Sequence, residues 1–184
     1  PPARAEYPTV ARGNDGRTLR MTSHHRDEEA VRTVAGLLEG ERFAMLTTVD
    51  ADGTLMSRPM ALQEVEFDGD LWFFAERDSR LTEQIAERPQ VNVTVSSSST
   101  WVSLTGDAAT VEDEARKKEL WNAGVEAWFP DGPEDPGVVL VRVEAGSAEY
   151  WNTPGGRIAS LFSFAKAKAT GRRYEGGENA RVEM

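Results

Sequence analysis

Three polar residues in the first half of the chain, Arg58, Ser79 and Arg80, have the types and spacing for binding a phosphate. Arg58 lies in a strand-like segment, and Ser79 is placed to cap a helix that begins at Arg80. A helix N-terminus attracts anions because its first amides lack partners and its dipole is positive there. Two guanidinium groups would add charge-assisted hydrogen bonds. The alternative is that both arginines pair with surface carboxylates.

The stretch from Thr54 to Arg88 supplies the elements that must position these residues. Residues 54–67 predict a strand, and the turn at Asp68 and Gly69 predicts that it folds back into residues 71–76 as a hairpin. The return strand, LWFFA, is apolar on both faces. Such a strand is typical of a barrel or sandwich interior, or of a sheet with one face covered by a second subunit or a flat ring.

The composition is that of an acidic chain of 184 residues, with 31 acidic and 21 basic side chains and a formal net charge of −10. This charge disfavours binding to nucleic acids and to anionic membranes. The lack of cysteine excludes disulfides, thiol chemistry and cysteine-ligated metals, and no apolar run approaches the roughly 20 residues that span a bilayer. We expect a cytoplasmic protein with one domain.

The chain divides into three regions by composition. Residues 1–22 have no hydrophobic period and predict an extended or mobile N-terminal arm, residues 23–175 predict a single domain, and residues 176–184 predict a polar tail. The two histidines, His24 and His25, are adjacent rather than four residues apart, so the sequence predicts no metal site.

The other hydrophobic patterns complete a mainly-β domain. The further predicted elements are a helix from Asp27 to Gly40, strands over 42–49, 91–95, 101–111 and 138–143, a helix over 114–123 and a helix over 158–165. A turn at residues 50–53 makes the first strands a meander of three, and Gly106 predicts a bulge. The total of about six strands with three or four helices favours a closed antiparallel barrel with peripheral helices.

Five motifs along the chain form a recognisable set. They are Met56-Ser57-Arg58-Pro59-Met60, Leu71-Trp72-Phe73-Phe74 with Asp78-Ser79-Arg80, Asn92 to Val95, the loop from Ala127 to Pro136, and Glu149-Tyr150-Trp151. Together they resemble the general stress protein 26 branch of the pyridoxamine 5′-phosphate oxidase-like flavoproteins, over about residues 27–175. The resemblance implies a six-stranded antiparallel split barrel that binds flavin mononucleotide (FMN), in a homodimer with flavin sites at the subunit interface.

The resemblance also implies a role for individual residues. Those implied to contact FMN are Arg58, Ser79 and Arg80 at the phosphate, Pro59 and Met60 at the isoalloxazine ring, and Phe74 and Ala75 at the phosphate side of the strand end. Two departures weaken the implied clamp, since the family often has Thr where this chain has Ala75, and Lys where it has Leu81 or Arg80. The resemblance does not extend to vitamin B6 chemistry, because the C-terminal substrate-binding pattern is missing.

We therefore expect an FMN-binding, general-stress-type protein with flavin-dependent oxidoreductase activity on an unknown substrate. The alternatives are a non-catalytic flavin carrier or stress-linked binding protein, and a split barrel that uses FAD or the deazaflavin F420. In an oxidoreductase the bound flavin would supply the electron transfer, while the protein supplies position and electrostatics.

Large apolar side chains are more numerous than a small barrel can hide. They are Trp72, Phe73, Phe74, Trp101, Trp128, Phe129 and Trp151. This number favours a homodimer, with the alternative that they fill the core and its helical cover. Three prolines stiffen the loop after Trp128 and Phe129, so the loop can present both rings at little entropic cost. We expect it to close one side of the flavin pocket, with the alternative that it plugs the barrel.

Overall fold

The computed structural model describes residues 27–63, 65–97, 100–152 and 178–184. The predicted N-terminal arm, both histidines and the predicted helix over 158–165 lie outside these ranges.

The described residues form a mainly-β structure, as predicted, with seven strands and four short helices. The strands are β1 (Phe43–Val49), β2 (Leu55–Ala61), β3 (Asp70–Glu76), β4 (Gln90–Ser96), β5 (Thr100–Val111), β6 (Val138–Asn152) and β7 (Glu178–Glu183). The helices are α1 (Glu28–Leu38), α2 (Arg80–Glu87), α3 (Glu114–Leu120) and α4 (Ala123–Trp128). α1 begins after Asp27, where the helix was predicted to start, and the Asp27 carboxylate caps it by accepting hydrogen bonds from two backbone amides. Gly40 follows with φ +79°.

All strand pairs are antiparallel, and the sheet runs in the order β2-β1-β4-β5-β6-β3, with β7 also paired to β6. β6 pairs with β5 along one edge, while its other edge pairs first with β3 and then with β7. Among the described strands no ladder joins β2 to β3, so hydrogen bonds do not close the barrel. The predicted bulge is confirmed, because the β5–β6 register shifts at Gly106, where a Cβ would collide with the Glu144 carbonyl.

The predicted hairpin of residues 54–67 with residues 71–76 is wrong. β2 ends at Ala61, and β3 pairs with β6 along its whole length, from Asp70 opposite Glu144 to Glu76 opposite Val138. The Asp68-Gly69 turn does form, with Gly69 at φ +105°, but the intervening segment has already left the sheet. The three-stranded meander is therefore a two-stranded hairpin, β1 and β2, whose second neighbour is β4.

Residues 176–184, predicted as a polar tail, contain strand β7, which pairs with residues 147–152 of β6. The segment ENARVE has few apolar side chains, but an edge strand is held by its backbone and needs only one buried face. Val182 is half-buried and packs on the core, while the terminal Met184 is buried.

Two hydrophobic clusters lie on opposite sides of β3. Phe73 belongs to the main core, whereas Phe74 belongs to a second cluster under α3 and α4 with Leu120, Val125 and Leu140. Helices of the same chain thus cover the second face of the LWFFA strand at Phe74.

Candidate phosphate-binding site

Strand β2 directs Arg58 towards the inner face of the sheet, opposite Leu46 of β1. Its Nη2 donates a 2.7 Å hydrogen bond to Oε1 of Gln84 in α2. Its other terminal nitrogen, Nη1, is buried and has no hydrogen-bond partner among the described residues. Burial lowers the pKa of the Arg58 guanidinium, and the nearby charge of Arg80 lowers it further. One buried cationic donor therefore remains to be satisfied.

Gln84 is a second buried polar group at this point, only 3% exposed. Its Oε1 accepts from the Thr48 hydroxyl of β1 at 2.7 Å as well as from Arg58. Its Nε2 is buried and has no hydrogen-bond partner in the part of the chain that the structure describes. Each buried donor without a partner costs about 1–3 kcal/mol. Two such donors in one cluster are a marked departure from the near-complete pairing of protein interiors.

Arg80 stands at the start of α2 and forms an ion pair with Asp50, in the turn between β1 and β2. The hydrogen bond from Arg80 is the main reason that the pKa of Asp50 lies below its usual value, followed by the Ala51 amide and the Gln84 side chain. The Gln84 amide therefore lies near the Asp50 carboxylate, although the two groups do not meet the geometry of a hydrogen bond. The structure thus brings Arg58 and Arg80 into one cluster. The alternative, that the arginines pair with surface carboxylates, is true of Arg80 but not of Arg58, which bonds to Gln84.

Ser79 caps α2 as predicted, and it does so through a reciprocal pair of bonds. Its Oγ accepts from the Thr82 amide at 3.3 Å, and Thr82 Oγ1 accepts from the Ser79 amide at 3.2 Å. The cap therefore already uses two of the backbone amides that the sequence offered to a phosphate.

The predicted ring contacts, Pro59 and Met60, point to opposite faces of β2. Pro59 lies on the outer face opposite Met45, whereas Met60 lies on the inner face opposite Ala44 and packs against the core. The structure therefore does not bring both side chains to one surface.

Phe74 and Ala75 are both buried within the fold. The Phe74 ring meets Trp121 edge-on, with 5.4 Å between ring centroids, and Ala75 belongs to the main core. The contacts of the Phe74 ring are those of the second cluster, so the structure does not place it with the two arginines.

The two aromatic residues at the end of α4 diverge. Trp128 is 79% exposed, while Phe129 is half-buried with its centroid 6.5 Å from that of Trp121. Phe129 therefore packs against the rest of the chain, as the alternative to a pocket role predicts. Trp128 is too exposed to plug the end of the barrel.

The loop that follows Phe129 is held by Lys117, a lysine that is only 3% exposed. Its Nζ donates to the carbonyls of Asp135 at 3.1 Å and Val138 at 3.2 Å, and it pairs with Glu114 at 3.0 Å. Arg77 Nε donates to the Pro136 carbonyl at 2.6 Å. The far end of the loop is thus fixed by two cations.

The outer face of the β1–β2 hairpin is neutral and partly apolar. It consists of Phe43, Met45, Thr47 and Val49 from β1, and Leu55, Ser57, Pro59 and Ala61 from β2. Phe43 and Leu55 are 64% and 68% exposed, and Thr47 and Ser57 bond to each other at 2.7 Å. This outer face is a surface from which water can be removed at little polar cost.

The sequence pointed to the arginines but not to their partners, Asp50 and Gln84, nor to Thr48, which bonds to Gln84. Asp50 was interpreted only as a turn residue, and Thr48 only as a strand former. The one available signal was helical spacing, because Arg80 and Gln84 are four residues apart and so share a face of α2.

A wide cleft of about 1170 Å³ lies elsewhere, beside the bulge at Gly106. Its charged lining is mixed, with Asp27, Asp107 and Glu183 beside Arg181. Neither Arg58 nor Arg80 lines it, so it offers no paired cations to a phosphate.

Every helix among the described residues is too short or too polar to cross a lipid bilayer.

Comparison with known proteins places the chain in a family. Residues 29–175 match the family described as pyridoxamine 5′-phosphate oxidase like. The chain belongs to this family. The match covers α1, all strands up to β6 and both arginines of the cluster.

Individual relatives agree with this assignment. Protein bli-3 of Neurospora crassa is 29% identical over 157 residues, which cover 79% of this chain and 75% of that protein. A structure from Jannaschia sp. CCS1 that carries the name general stress protein 26 is 28% identical, with a TM-score of 0.70, covering 85% of this chain and 99% of that one. The general stress FMN/FAD binding protein of Xanthomonas citri is 30% identical, with a TM-score of 0.58, covering 68% and 89%. The fold is the split-barrel type of these family members.

The residues of the cluster fit a phosphate group. Arg58 Nη1 and Gln84 Nε2 are buried donors without partners among the described residues, which is the condition that an oxyanion would relieve. Arg80 adds a second guanidinium, although its pairing with Asp50 must loosen first. The arginine cluster (Asp50, Arg58, Arg80 and Gln84) is therefore the candidate cofactor site.

Proposed function

We propose that this protein binds FMN, with the phosphate held by Arg58 and Arg80 in the arginine cluster. The observation that carries the proposal is the pair of buried donors, Arg58 Nη1 and Gln84 Nε2, that lack partners in the described structure. The family assignment and the FMN/FAD-binding relative from Xanthomonas citri support a flavin as the molecule that carries the phosphate.

Charge explains why a phosphate would compete successfully for this cluster. FMN carries a phosphate monoester with a charge of about −1.5 to −2 at neutral pH. Asp50 carries at most one negative charge, and the Arg80 side chain with which it pairs is 61% exposed. Since Arg58 Nη1 is buried and Arg80 is paired with Asp50, binding also requires that the Arg80 side chain change rotamer. The bound flavin would supply electron-transfer chemistry, and the protein its position.

The contacts to the isoalloxazine ring remain predictions. Trp128 is exposed enough to cover a ring, whereas Phe129 is largely committed to Trp121. In β2, Pro59 lies on the outer face and Met60 on the core side, so one of these side chains can contact the ring but not both together. Phe74 and Ala75 are buried and would act through the backbone of β3.

We further propose a homodimer formed through the outer face of the β1–β2 hairpin. Phe43, Met45 and Leu55 are exposed there, and none of the residues of this face carries a charge. Two copies with a net charge of −10 repel each other, so a neutral face is the one on which they can meet at least cost. Sedimentation should give about 40 kDa, twice the chain mass of 20.3 kDa, and Leu55→Glu should shift it to the monomer. A monomer at all micromolar concentrations would overturn this part.

The proposed function is tested by titrating the purified protein with FMN, riboflavin and FAD, followed by flavin fluorescence. We expect FMN to bind at least about tenfold more tightly than riboflavin, since riboflavin lacks the phosphate. Equal affinity, or no binding of any flavin, would overturn the proposal, and preference for FAD would reassign the cofactor. Steady-state oxidation of NAD(P)H by the FMN-loaded protein then separates an oxidoreductase from a carrier.

A further inference from the structure

We infer that Gln84 is a positioning residue that holds Arg58 for the phosphate without neutralising its charge. The inference rests on the proposed function, and it deepens it by assigning a role to a residue that touches the arginine rather than the ligand. Gln84 lies on the inward face of α2, is 3% exposed and meets both strands of the hairpin.

The geometry shows how Gln84 fixes the guanidinium. Its Oε1 accepts a hydrogen bond from the Thr48 hydroxyl of β1 and a second one from Arg58 Nη2, both at 2.7 Å. Arginine has a long side chain with many rotamers, so an unheld guanidinium would lose much conformational entropy on binding a ligand. The Thr48–Gln84–Arg58 chain of bonds imposes the ordering before the ligand arrives.

An amide is chemically suited to this task in a way that a carboxylate is not. A carboxylate would hold Arg58 more strongly, but it would cancel the charge that attracts the phosphate and repel the phosphate itself. The same cluster contains the contrasting arrangement, because Arg80 is held by the Asp50 carboxylate. Arg58 is thus oriented and still cationic, whereas Arg80 is already paired.

The amide also leaves a donor in place. Gln84 Nε2 is buried and lacks a partner among the described residues, as does Arg58 Nη1. A residue selected only to support Arg58 and Thr48 needs one acceptor and no donor. The side chain also faces Asp50, but that carboxylate is paired with Arg80, so the additional buried N–H points to a ligand oxygen as its partner in the loaded protein.

The test compares Gln84→Glu and Gln84→Met for binding of FMN and riboflavin. Gln84→Glu keeps the acceptor but adds a negative charge and removes the donor, so FMN affinity should fall at least about tenfold while riboflavin affinity is retained. Gln84→Met removes the acceptor without adding charge, and FMN affinity should fall about three- to tenfold. The control is Ala86→Glu, which adds the same charge at an exposed position of α2 and should leave the FMN-to-riboflavin ratio unchanged.

The outcomes separate this inference from the proposed function. If Arg58→Ala abolishes the preference for FMN and both Gln84 variants keep it, Gln84 is only structural and the inference is wrong, while the proposed function stands. If the wild type itself shows no preference for FMN, the proposed function fails and the inference with it. Should the Gln84 variants not fold, Thr48→Val takes their place, because it releases Gln84 from β1. An unchanged FMN-to-riboflavin ratio in Thr48→Val would equally overturn the inference.

Discussion

Two inward-facing cations, the buried Lys117 and the half-buried Arg58, lie in different parts of the fold and use their donors differently. Lys117 has three partners, two backbone carbonyls and the Glu114 carboxylate, which match the three donors of its ammonium group. Arg58 bonds to Gln84 through Nη2, while its Nη1 remains buried without a partner among the described residues. Both cations are partly removed from water, but only Lys117 has a partner for each of its donors.

The difference indicates what each cation is for. A buried donor without a partner costs stability, so it persists where function requires it, whereas a fully bonded buried cation contributes to the fold. Lys117 anchors the end of the loop that carries Phe129, and the proposed function makes no use of it. Arg58 has spare bonding capacity beside a second guanidinium, which is the arrangement of a binding site.

The largest expected effect on stability comes from Lys117→Met, which keeps the volume and removes the charge. It removes the ammonium donor from the carbonyls of Asp135 and Val138, of which Asp135 keeps the Val138 amide, so the free energy of unfolding should fall by about 3 kcal/mol. Denaturant unfolding measures this, with Lys118→Met as the matched control. Lys118 is half-exposed in its pair with Glu134, and its loss should change stability by less than about 0.5 kcal/mol. Similar losses of stability in both variants would show that Lys117 contributes no more to the fold than the exposed Lys118 does.

Trp128 and Phe129, at the end of α4, allow an exposed and a packed aromatic side chain to be compared within one loop. Phe129→Ala should lower the free energy of unfolding by about 2 kcal/mol, because the ring packs in the second cluster. Trp128→Ala should change it by less than about 0.5 kcal/mol, because the side chain is 79% exposed. If Trp128 covers the flavin, FMN affinity should fall about two- to tenfold and quenching of flavin fluorescence should weaken. A large drop in melting temperature with unchanged affinity would assign Trp128 to packing.

A smaller effect is expected from Asp50→Asn, which makes Arg80 resemble Arg58 by removing its carboxylate partner. FMN affinity should rise about two- to fivefold, because the phosphate no longer competes with Asp50, and riboflavin affinity should not change. Fluorescence titration at constant salt measures both affinities. A decrease in FMN affinity would mean that Asp50 orients Arg80 for binding rather than competing for it.

The smallest effect concerns acid stability. The pKa of Asp50 is lowered in the folded protein from its ordinary value of 3.8, first by the hydrogen bond from Arg80. Its contribution to stability is therefore present above that ordinary value and is lost as the pH falls through the lowered pKa. Wild-type protein should be more stable than Asp50→Asn above about pH 5, and the two should converge in acid. A constant difference at every pH would show that the ion pair contributes nothing to the fold.

Much of the fold was predictable because its signals are local. The start of α1 at Asp27, the Ser79 cap and the turn at residues 50–53 depend on side chains within a few positions of one another. The bulge at Gly106 was indicated by the residue type alone. The pairing of β3 was not predictable in this way. The Asp68-Gly69 turn has the local chemistry of a hairpin, but β3 gains more by pairing with β6, which buries both of its apolar faces.

The candidate site was predictable in its cations and not in their partners. Arg58 and Arg80 were identified from residue type and from the helix start, and the structure brings them together. Whether each arginine is neutralised depends on contacts across the sheet, to Asp50 in a turn and to Gln84 in a helix. Strand β7 was also not predicted from the sequence, because a polar edge strand has no hydrophobic pattern of its own.

The most direct test of the phosphate site is the pair of affinities for FMN and riboflavin in Arg58→Ala, measured beside the wild type. The loss of a charge-assisted bond to the phosphate should weaken FMN binding by about 1.5 to 3 kcal/mol, or roughly ten- to a hundredfold, and leave riboflavin binding unchanged. Arg80→Ala should act in the same direction with a smaller effect, since Arg80 is already paired with Asp50. Equal losses for both ligands in Arg58→Ala would contradict the phosphate site and make Arg58 a structural residue like Lys117.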